Sequence, residues 1–459
     1  MVDRTGVLRE GLAAIRTEFD VPAQFPADVL AAAEQAARRS HPLPRELTGL
    51  PFVTLDPEGA TDLDQAFAFE RADAGAILLH YAIADVASFV TDSDSVGREA
   101  WERGSTVYLP DGKAPLHPPV LSEGAASLLP GVDRPAIIFT LRVEQDGAAP
   151  LDRIERAVVR SQAKLAYETV RVGDLPAEFQ EVTARLAAAE RARGAARIDP
   201  PEQEVQRTAD GRFTLAFRPK YATEEANAQL SLAVNIAVAG LLRDARTGLF
   251  RVMPAPSQKQ VQRLRITARA LGVAWSPDET LAQLEKRLDP AQRNHASLMA
   301  AIRRAGGGAS YAPFDPDTPP WHNAVAAPYA HATAPLRRLA DRHVGLTALA
   351  LANGGKAEES IAAAFPELAK RMTDAEIRSA RIDRAVIDLA EAVVLEGREG
   401  ESFAATILES DERMARVQLE TEPVVARVAD LQGAPGDRVT LRLRRSSPAT
   451  RQVDFEAME

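Results

Sequence analysis

The chain predicts an α+β, multidomain fold, and three features predict it. Its 459 residues exceed one ordinary domain of about 150 residues. Short alternating apolar runs follow Pro51, helical-period runs follow Ser161, and short alternating runs return after Leu395. Strands and helices segregated along a chain, without regular βαβ alternation, are the α+β pattern. The expected division is a small helical unit over 1–48, a large central domain over 49–396 with a mixed sheet surrounded by helices, and a small β-barrel over 397–459.

At the start, Leu8, Leu12, Ile15 and Phe19 recur at helical spacing, and Val29, Leu30, Ala33 and Ala37 do so again after PAQFPADV. Pro26 suits the first turn of the second helix, and the pair is compatible with a helix-turn-helix unit. AFAFE, AILLHYAIADV and AIIFTLRVE then read as strands of a mostly antiparallel sheet. Helices are expected at SQAKLAYETVRVGD, at EEANAQLSLAVNIAVAGLLRDARTG with Gly248 as its C-cap, at SQKQVQRLRITARALG, at LAQLEKRL and at DPAQRNHASLMAAIRRAGGG. Residues 306–335, rich in Gly and Pro, read as a long loop, functional or disordered. A helix opened by Pro335 follows, and helices run to Leu395. FAATILESDERMARVQLE, VVARVADL and RVTLRLRR make the terminal barrel. There Leu441 and Leu443 alternate with Arg442 and Arg444, giving one buried and one cationic face.

Composition narrows the function. With 46% hydrophobic and 26% charged residues the chain reads as globular, and the absence of cysteine excludes disulfides and thiolate metal sites. No signal-type apolar run opens it and no stretch of about 18 uncharged apolar residues occurs, so a soluble, cytoplasmic protein without membrane contact is expected. A net charge of −10 argues against non-specific coating of nucleic acid. Charge is uneven, however: five arginines against Asp437 give residues 434–453 a net +4.

Two constellations carry chemistry. In TLDPEGATDLDQAFAF, Asp62 and Asp64 project the same way if extended, and the PEGA bend brings Asp56 back towards them. Such oxygen donors suit Mg²⁺, which typically uses one or two carboxylates plus substrate phosphate. The spacing is not that of an EF-hand, and the pairs Asp92 with Asp94 and Asp315 with Asp317 look similar without the bend. In YAHATAPLRRLADRHVG, Arg337 and Arg338 fall in the expected first helical turn, where the helix dipole favours anions. Arginine there makes sense if a phosphate is the visitor.

Together these blocks carry a resemblance. DPEGATDLDQA, HYAIADVASFV, RGSTVYLPDGKAPLHPPVLSEGAASLLPG, SQAKLAYETV and HATAPLRRLAD resemble, in that order, the signature blocks of the ribonuclease II (RNB) superfamily of 3′-to-5′ exoribonucleases, over roughly Pro51 to Leu389. The terminal barrel is similar to the family's OB-type RNA-binding domain. The resemblance implies Mg²⁺-dependent hydrolysis, with Mn²⁺ as substitute, of single-stranded RNA to 5′-mononucleotides by a processive monomer. It implies that Asp56, Asp62 and Asp64 hold metal, that Asp64 is indispensable for cleavage, and that Arg337 grips the phosphate near the cut. Tyr108 falls on an aromatic that stacks on terminal bases and Tyr167 on one that seats the 3′ end. Arg338, Gln229 and Asp383, with Arg442 and Arg444 of the barrel, complete the implied RNA contacts.

Departures from the family pattern are equally specific. Gln65 stands where the family has a fourth aspartate, and offers an oxygen without charge. Ala228 and Gln229 stand at a pair of acids, and Asp383 is one methylene shorter than the acid expected there. Ile198 and Asp199 occupy the place of a second stacking aromatic. The 50 residues before Pro51 look helical, where many bacterial members carry two cold-shock barrels. Two readings follow: an active exoribonuclease, or a catalytically weakened RNB-fold protein that binds or protects RNA. A helix-turn-helix regulator, resting on the first 45 residues alone, leaves the five blocks unexplained. The ending VDFEAME lacks a basic tail, which leans towards single strands.

Overall fold

The computed structural model describes residues 5–39, 45–195, 202–208, 213–289, 292–410, 413–434 and 436–458. Two helices, α1 (Thr5–Glu18) and α2 (Ala27–Ala37), precede the first strands, β1 (Phe52–Asp56), β2 (Gln65–Arg71) and β3 (Ile77–Ala84). After α3 (Ser95–Arg103) comes a short hairpin, β4 (Val107–Leu109) and β5 (Gly112–Ala114), and then β6 (Asp133–Val143) and β7 (Leu151–Ala166). Strands β1, β2, β3, β6 and β7 close into a barrel in that order.

Alternation along the barrel strands feeds two cores. Phe67, Leu79, Tyr81 and Phe139 join one cluster, while Ala66, Ala68, Ala82 and Ile138 join another. A period of two sends successive side chains to opposite faces. Closure is made by β7, which runs antiparallel to β6 and pairs through its last residues in parallel with β1, from Phe52↔Ser161 to Asp56↔Ala166. SQAKLAYETVRVGD, expected to be helical, is therefore the end of a strand and a turn. Pairing with the distant strand β1 outweighs a weak local pattern.

Next come α4 (Phe179–Arg193), the hairpin β8 (Gln203–Arg207) and β9 (Phe213–Phe217), and α5 (Ala222–Asp244). Ile198 and Asp199 lie outside the described residues. By length and composition α5 passes as a membrane-spanning helix, but it packs against α4, α9 (Leu339–Ala352) and strands β1, β6 and β7. It ends at Asp244, and Gly248, at φ 111°, turns the chain into β10 (Leu249–Val252) instead of capping the helix. Helices α6 (Gln258–Ala270), α7 (Leu281–Arg287) and α8 (Arg293–Ala305) share a small core of their own. The long loop contains one strand, β11 (Ser310–Pro313), paired antiparallel with β10.

Helix α10 (Glu359–Leu395) leads to the C-terminal strands β12 (Ser402–Ser410), β13 (Met414–Leu419), β14 (Val425–Ala429), β15 (Arg438–Ser447) and β16 (Gln452–Ala457), in sheet order β14-β13-β12-β15-β16. Its ends β14 and β16 pack together, which nearly closes the barrel. Leu441 and Leu443 are fully buried and Arg442 and Arg444 exposed, as their alternation requires.

The two N-terminal helices join different cores. Leu8, Leu12 and Ile15 of α1 share a cluster with Leu389 of α10 and Phe403 of the terminal barrel. Val29, Ala33 and Ala36 of α2 pack with Phe52, Leu63 and Leu121. Gly11 lets α1 lie close against α10, since a Cβ there would lie 2.5 Å from Leu389. Leu30, on the expected apolar stripe, is exposed.

Truncating the fully buried Leu12 to Ala is expected to cost about 2–5 kcal/mol. Leu30→Ala is expected to stay within about 0.5 kcal/mol. Urea denaturation compares the two, and equal midpoints would contradict the docking of α1.

Candidate active site

The acid loop joins β1 to β2 and is pinned from three sides. Lys164 Nζ, on β7, donates to the carbonyls of Glu58 and Ala60, each at 2.6 Å. Ser127 Oγ donates to the Thr61 carbonyl at 2.8 Å and accepts from the Leu63 amide at 3.0 Å. Glu168 accepts from the Glu58 amide at 3.0 Å. A loop held this way presents Asp56, Asp62 and Asp64 in fixed positions.

Each aspartate meets a different environment. Asp64 is buried; one oxygen accepts from the Leu336 amide at 2.7 Å and the other lies 3.4 Å from Arg337 Nε. Asp62 is clamped by Lys113 Nζ at 2.6 Å on Oδ1 and by the Tyr108 hydroxyl at 3.0 Å on Oδ2. Asp56 Oδ2 is buried with no hydrogen-bond partner. Burial pushes the Asp56 and Asp64 carboxyls up to about 7, against the pull of Arg337 and with the help of repulsion from Asp62. An orphaned carboxylate oxygen and two carboxyls strained by lost solvation are what a divalent cation relieves.

Among the described residues, no three His, Asp or Glu side chains converge tightly enough to chelate a metal alone. Mg²⁺ needs no such cage, because it commonly takes one or two carboxylates and fills the rest with water and phosphate. Asp56 and Asp64 fit that requirement. Gln65 does not turn a free oxygen to the acids: its Oε1 accepts from the Tyr81 hydroxyl at 2.6 Å.

The arginine block differs from its expected form. Helix α9 begins at Leu339, so Pro335 does not open it, and Arg338 is the extended N-cap at φ −133°, ψ 124°. Asp341 supplies the acid that the first turn favours. Arg337 closes a turn, its amide donating to the Ala334 carbonyl at 3.2 Å, whereas Arg338 is extended, and the two side chains part. Arg337 stays half-exposed beside Asp64. Arg338 turns inward into a two-point pair with Asp341 at 2.9 and 2.7 Å, and although burial opposes its charge, Asp341 raises its pKa. Its guanidinium therefore has a structural partner in place of the implied RNA.

Other expected residues scatter. Tyr108 leaves its ring half-exposed, and burial of the hydroxyl with the nearby Asp62 raises its pKa. Tyr167 follows β7 directly; its amide donates to the Asp56 carbonyl and its hydroxyl accepts from Asn227 Nδ2 at 2.9 Å. Gln229 is buried and donates to Glu190 on α4 at 2.8 Å, so it joins two helices and is not presented to a ribose. Two residues along the helix turn it away from Asn227, which reaches the Leu55 carbonyl and the Tyr167 hydroxyl. Asp383 lies at the surface of α10, and partial desolvation of its carboxyl where it meets its neighbours, with repulsion from Glu202, raises its pKa. Arg444 shares Glu456 at 3.6 Å.

Lys113, Lys164, Ser127 and Asn227 escaped sequence reading. The PDG turn in VYLPDGKA was the available signal for Lys113, since a hairpin there sets Tyr108 opposite Lys113.

The fold and site define a closed barrel whose acid loop is apposed to an arginine loop, and comparison with known families places that arrangement. Residues 44–348 match the RNB domain and residues 401–458 the RNase II-type exonuclease C-terminal S1 domain. The chain belongs to the RNB family. Among curated relatives it is 28% identical over 365 residues to ribonuclease R of Vibrio cholerae, covering 72% of this chain and 42% of that protein. It is 27% identical over 417 residues to ribonuclease R of Aquifex aeolicus (85% and 59%), and 39% identical over 126 residues to exoribonuclease 2 of Vibrio vulnificus (27% and 19%). The chain thus spans less than two thirds of the length of each of these relatives. Its fold matches Mycoplasma genitalium RNase R in complex with ribose methylated single-stranded RNA, with a TM-score of 0.86, 19% identity, and coverage of 98% of this chain and 78% of that one. It also matches yeast Ssd1, described as a pseudonuclease, with a TM-score of 0.70 and 16% identity over 95% and 58%.

Arg338→Ala leaves Asp341 buried without its counter-charge and is expected to cost about 3–5 kcal/mol, whereas Arg337→Ala is expected to cost less than about 1 kcal/mol. Equal losses in urea denaturation would contradict the division between them. The raised Asp64 pKa has a sign that can be read. Its proton is held more tightly in the folded state, so stability falls as pH rises from about 4 to about 7. With divalent ions chelated, Asp64→Asn is expected to exceed wild-type stability at pH 8 by more than about 1 kcal/mol, and to lose that advantage by pH 4. A pH-independent difference would refute it.

Proposed function

We propose that this chain hydrolyses single-stranded RNA processively from the 3′ end, with Mg²⁺ or in its place Mn²⁺, releases 5′-mononucleotides, and works as a cytoplasmic monomer. What supports hydrolysis most directly is the meeting of Asp64 with the Leu336 amide and Arg337, beside the unpartnered oxygen of Asp56. Asp56 and Asp64 would hold Mg²⁺, which supplies Lewis acidity at the scissile phosphate and towards the attacking water. The names of the relatives, ribonuclease R and exoribonuclease 2, and the RNA in the first of the structural neighbours support the same class.

The chain's own residues do the rest. Arg337, held through Nε, keeps its outer guanidinium edge for a phosphate, where charge accumulates in the transition state. Asp64 keeps that arginine aimed and its own second oxygen fixed through the Leu336 amide. Tyr108, anchored by its hydroxyl, offers a ring face on which any base stacks, and Tyr167 closes the floor next to Asp56. Arg442, on the outer face of β15, adds charge for the RNA backbone.

A second reading, an RNA-holding protein with weakened catalysis, draws on the engagement of Asp62 by Lys113 and of Gln65 by Tyr81. A labelled oligoribonucleotide incubated with Mg²⁺ and followed by mass spectrometry separates the two. The wild type is expected to release mononucleotides, and Asp64→Asn to lose at least about 100-fold in rate while still binding RNA. Uncut label with both proteins, under conditions where both bind, would leave only the second reading.

A further inference from the structure

Lys113 occupies the place where a second cation would sit. It lies directly across the β4–β5 hairpin from Tyr108, so the two side chains leave the same face as near neighbours and both end on Asp62. Its ammonium is 2.6 Å from Asp62 Oδ1, 3.1 Å from Glu123 and 3.3 Å from Thr61 Oγ1. Three acceptors satisfy the three protons of a lysine. Glu123 comes from the single turn at residues 121–125, close in sequence to Ser127, which pins the acid loop.

The consequence for metal binding is geometric. Mg²⁺ approaches a carboxylate oxygen to about 2.0–2.1 Å, and an ion bridging Asp62 Oδ1 and Glu123 would take the position of the ammonium. Asp62 Oδ2 is held by the Tyr108 hydroxyl. Asp56, in contrast, keeps an oxygen with no hydrogen-bond partner, and the second oxygen of Asp64 has Arg337 Nε no nearer than 3.4 Å. At position 65 the side chain is neutral and engaged by Tyr81, which lowers the demand for further positive charge. We propose that Lys113 is the fixed second cation of the site. It positions Asp62 and limits the chain to one divalent ion, held by Asp56 and Asp64. This rests on the hydrolytic reading above.

Metal counting tests it without RNA or turnover. The full chain is titrated with Mn²⁺ and free ion is followed by electron paramagnetic resonance. Wild type is expected to bind one Mn²⁺ per chain. Lys113→Met, which frees Asp62 and Glu123, is expected to bind two, and Lys113→Arg to return to one. Two ions in the wild type would mean that the ammonium swings aside for a metal, which overturns the assignment and leaves hydrolysis standing. One ion in a folded Lys113→Met would overturn it as well. No ion in the wild type would overturn the assignment too, and hydrolysis would then stand or fall on the RNA digestion alone. If Lys113→Met fails to fold, the wild-type count and Lys113→Arg still decide.

Discussion

The bond between the Leu336 amide and Asp64 joins segments 272 positions apart in sequence, and the site exists only because it forms. Two buried carboxylates grip alternate amides of the same loop: Asp341 accepts from Ala334 at 2.7 Å and Asp64 from Leu336 at 2.7 Å. Asn235 of α5 accepts from the Ala332 amide at 2.9 Å, which extends the same support by one more alternate residue. A segment without regular structure is thus given the hydrogen-bond partners that buried backbone requires. Those partners come from the acid loop, from α5 and from α9, so the three elements fix one another's positions.

Barrel closure sets the other half of the geometry. Because β7 ends in parallel with β1, Asp56 pairs with Ala166 and the next residue, Tyr167, donates its amide to the Asp56 carbonyl. The first acid and an aromatic neighbour therefore arise from one register. A slip by one residue would reverse which side chains face the site. Lys164, three residues before Tyr167, then reaches the carbonyls of the acid loop. Strand pairing and loop shape are one construction.

What the sequence revealed, and what it withheld, divides along that line. The strands at AFAFE, AILLHYAIADV and AIIFTLRVE were legible because alternation is local. The end of β7 was not, because the strand character of Ser161–Ala166 comes from pairing with β1, roughly 110 residues away. The three aspartates and Arg337 were legible through the order of their blocks. The inward turn of Arg338 was not, since it depends on one extended residue before α9 and on Asp341 waiting in the interior. Gln229 was misplaced for a related reason: position in a motif does not say which face of α5 is turned to the acids. Lys113 needed a hairpin register and its docking on Asp62, neither of which composition encodes.

The charges around the acid loop explain why the site is poised for a cation. Asp56, Asp62, Asp64 and Glu123 face Lys113, Lys164 and Arg337, but the compensation is uneven. Asp62 has Lys113 in contact at 2.6 Å; Lys164 gives its protons to carbonyls; Arg337 is half-exposed and 3.4 Å from Asp64. Asp56 and Asp64 therefore carry the residual cost of burial, which is why both are pushed up to about 7. A proton or a divalent ion relieves the same strain, so the two compete for the same oxygens near neutrality. The fold thus spends its own cations on holding Asp62 and the loop backbone, and leaves the two deeper carboxylates short of positive charge at the point where a metal and a phosphate would supply and share it.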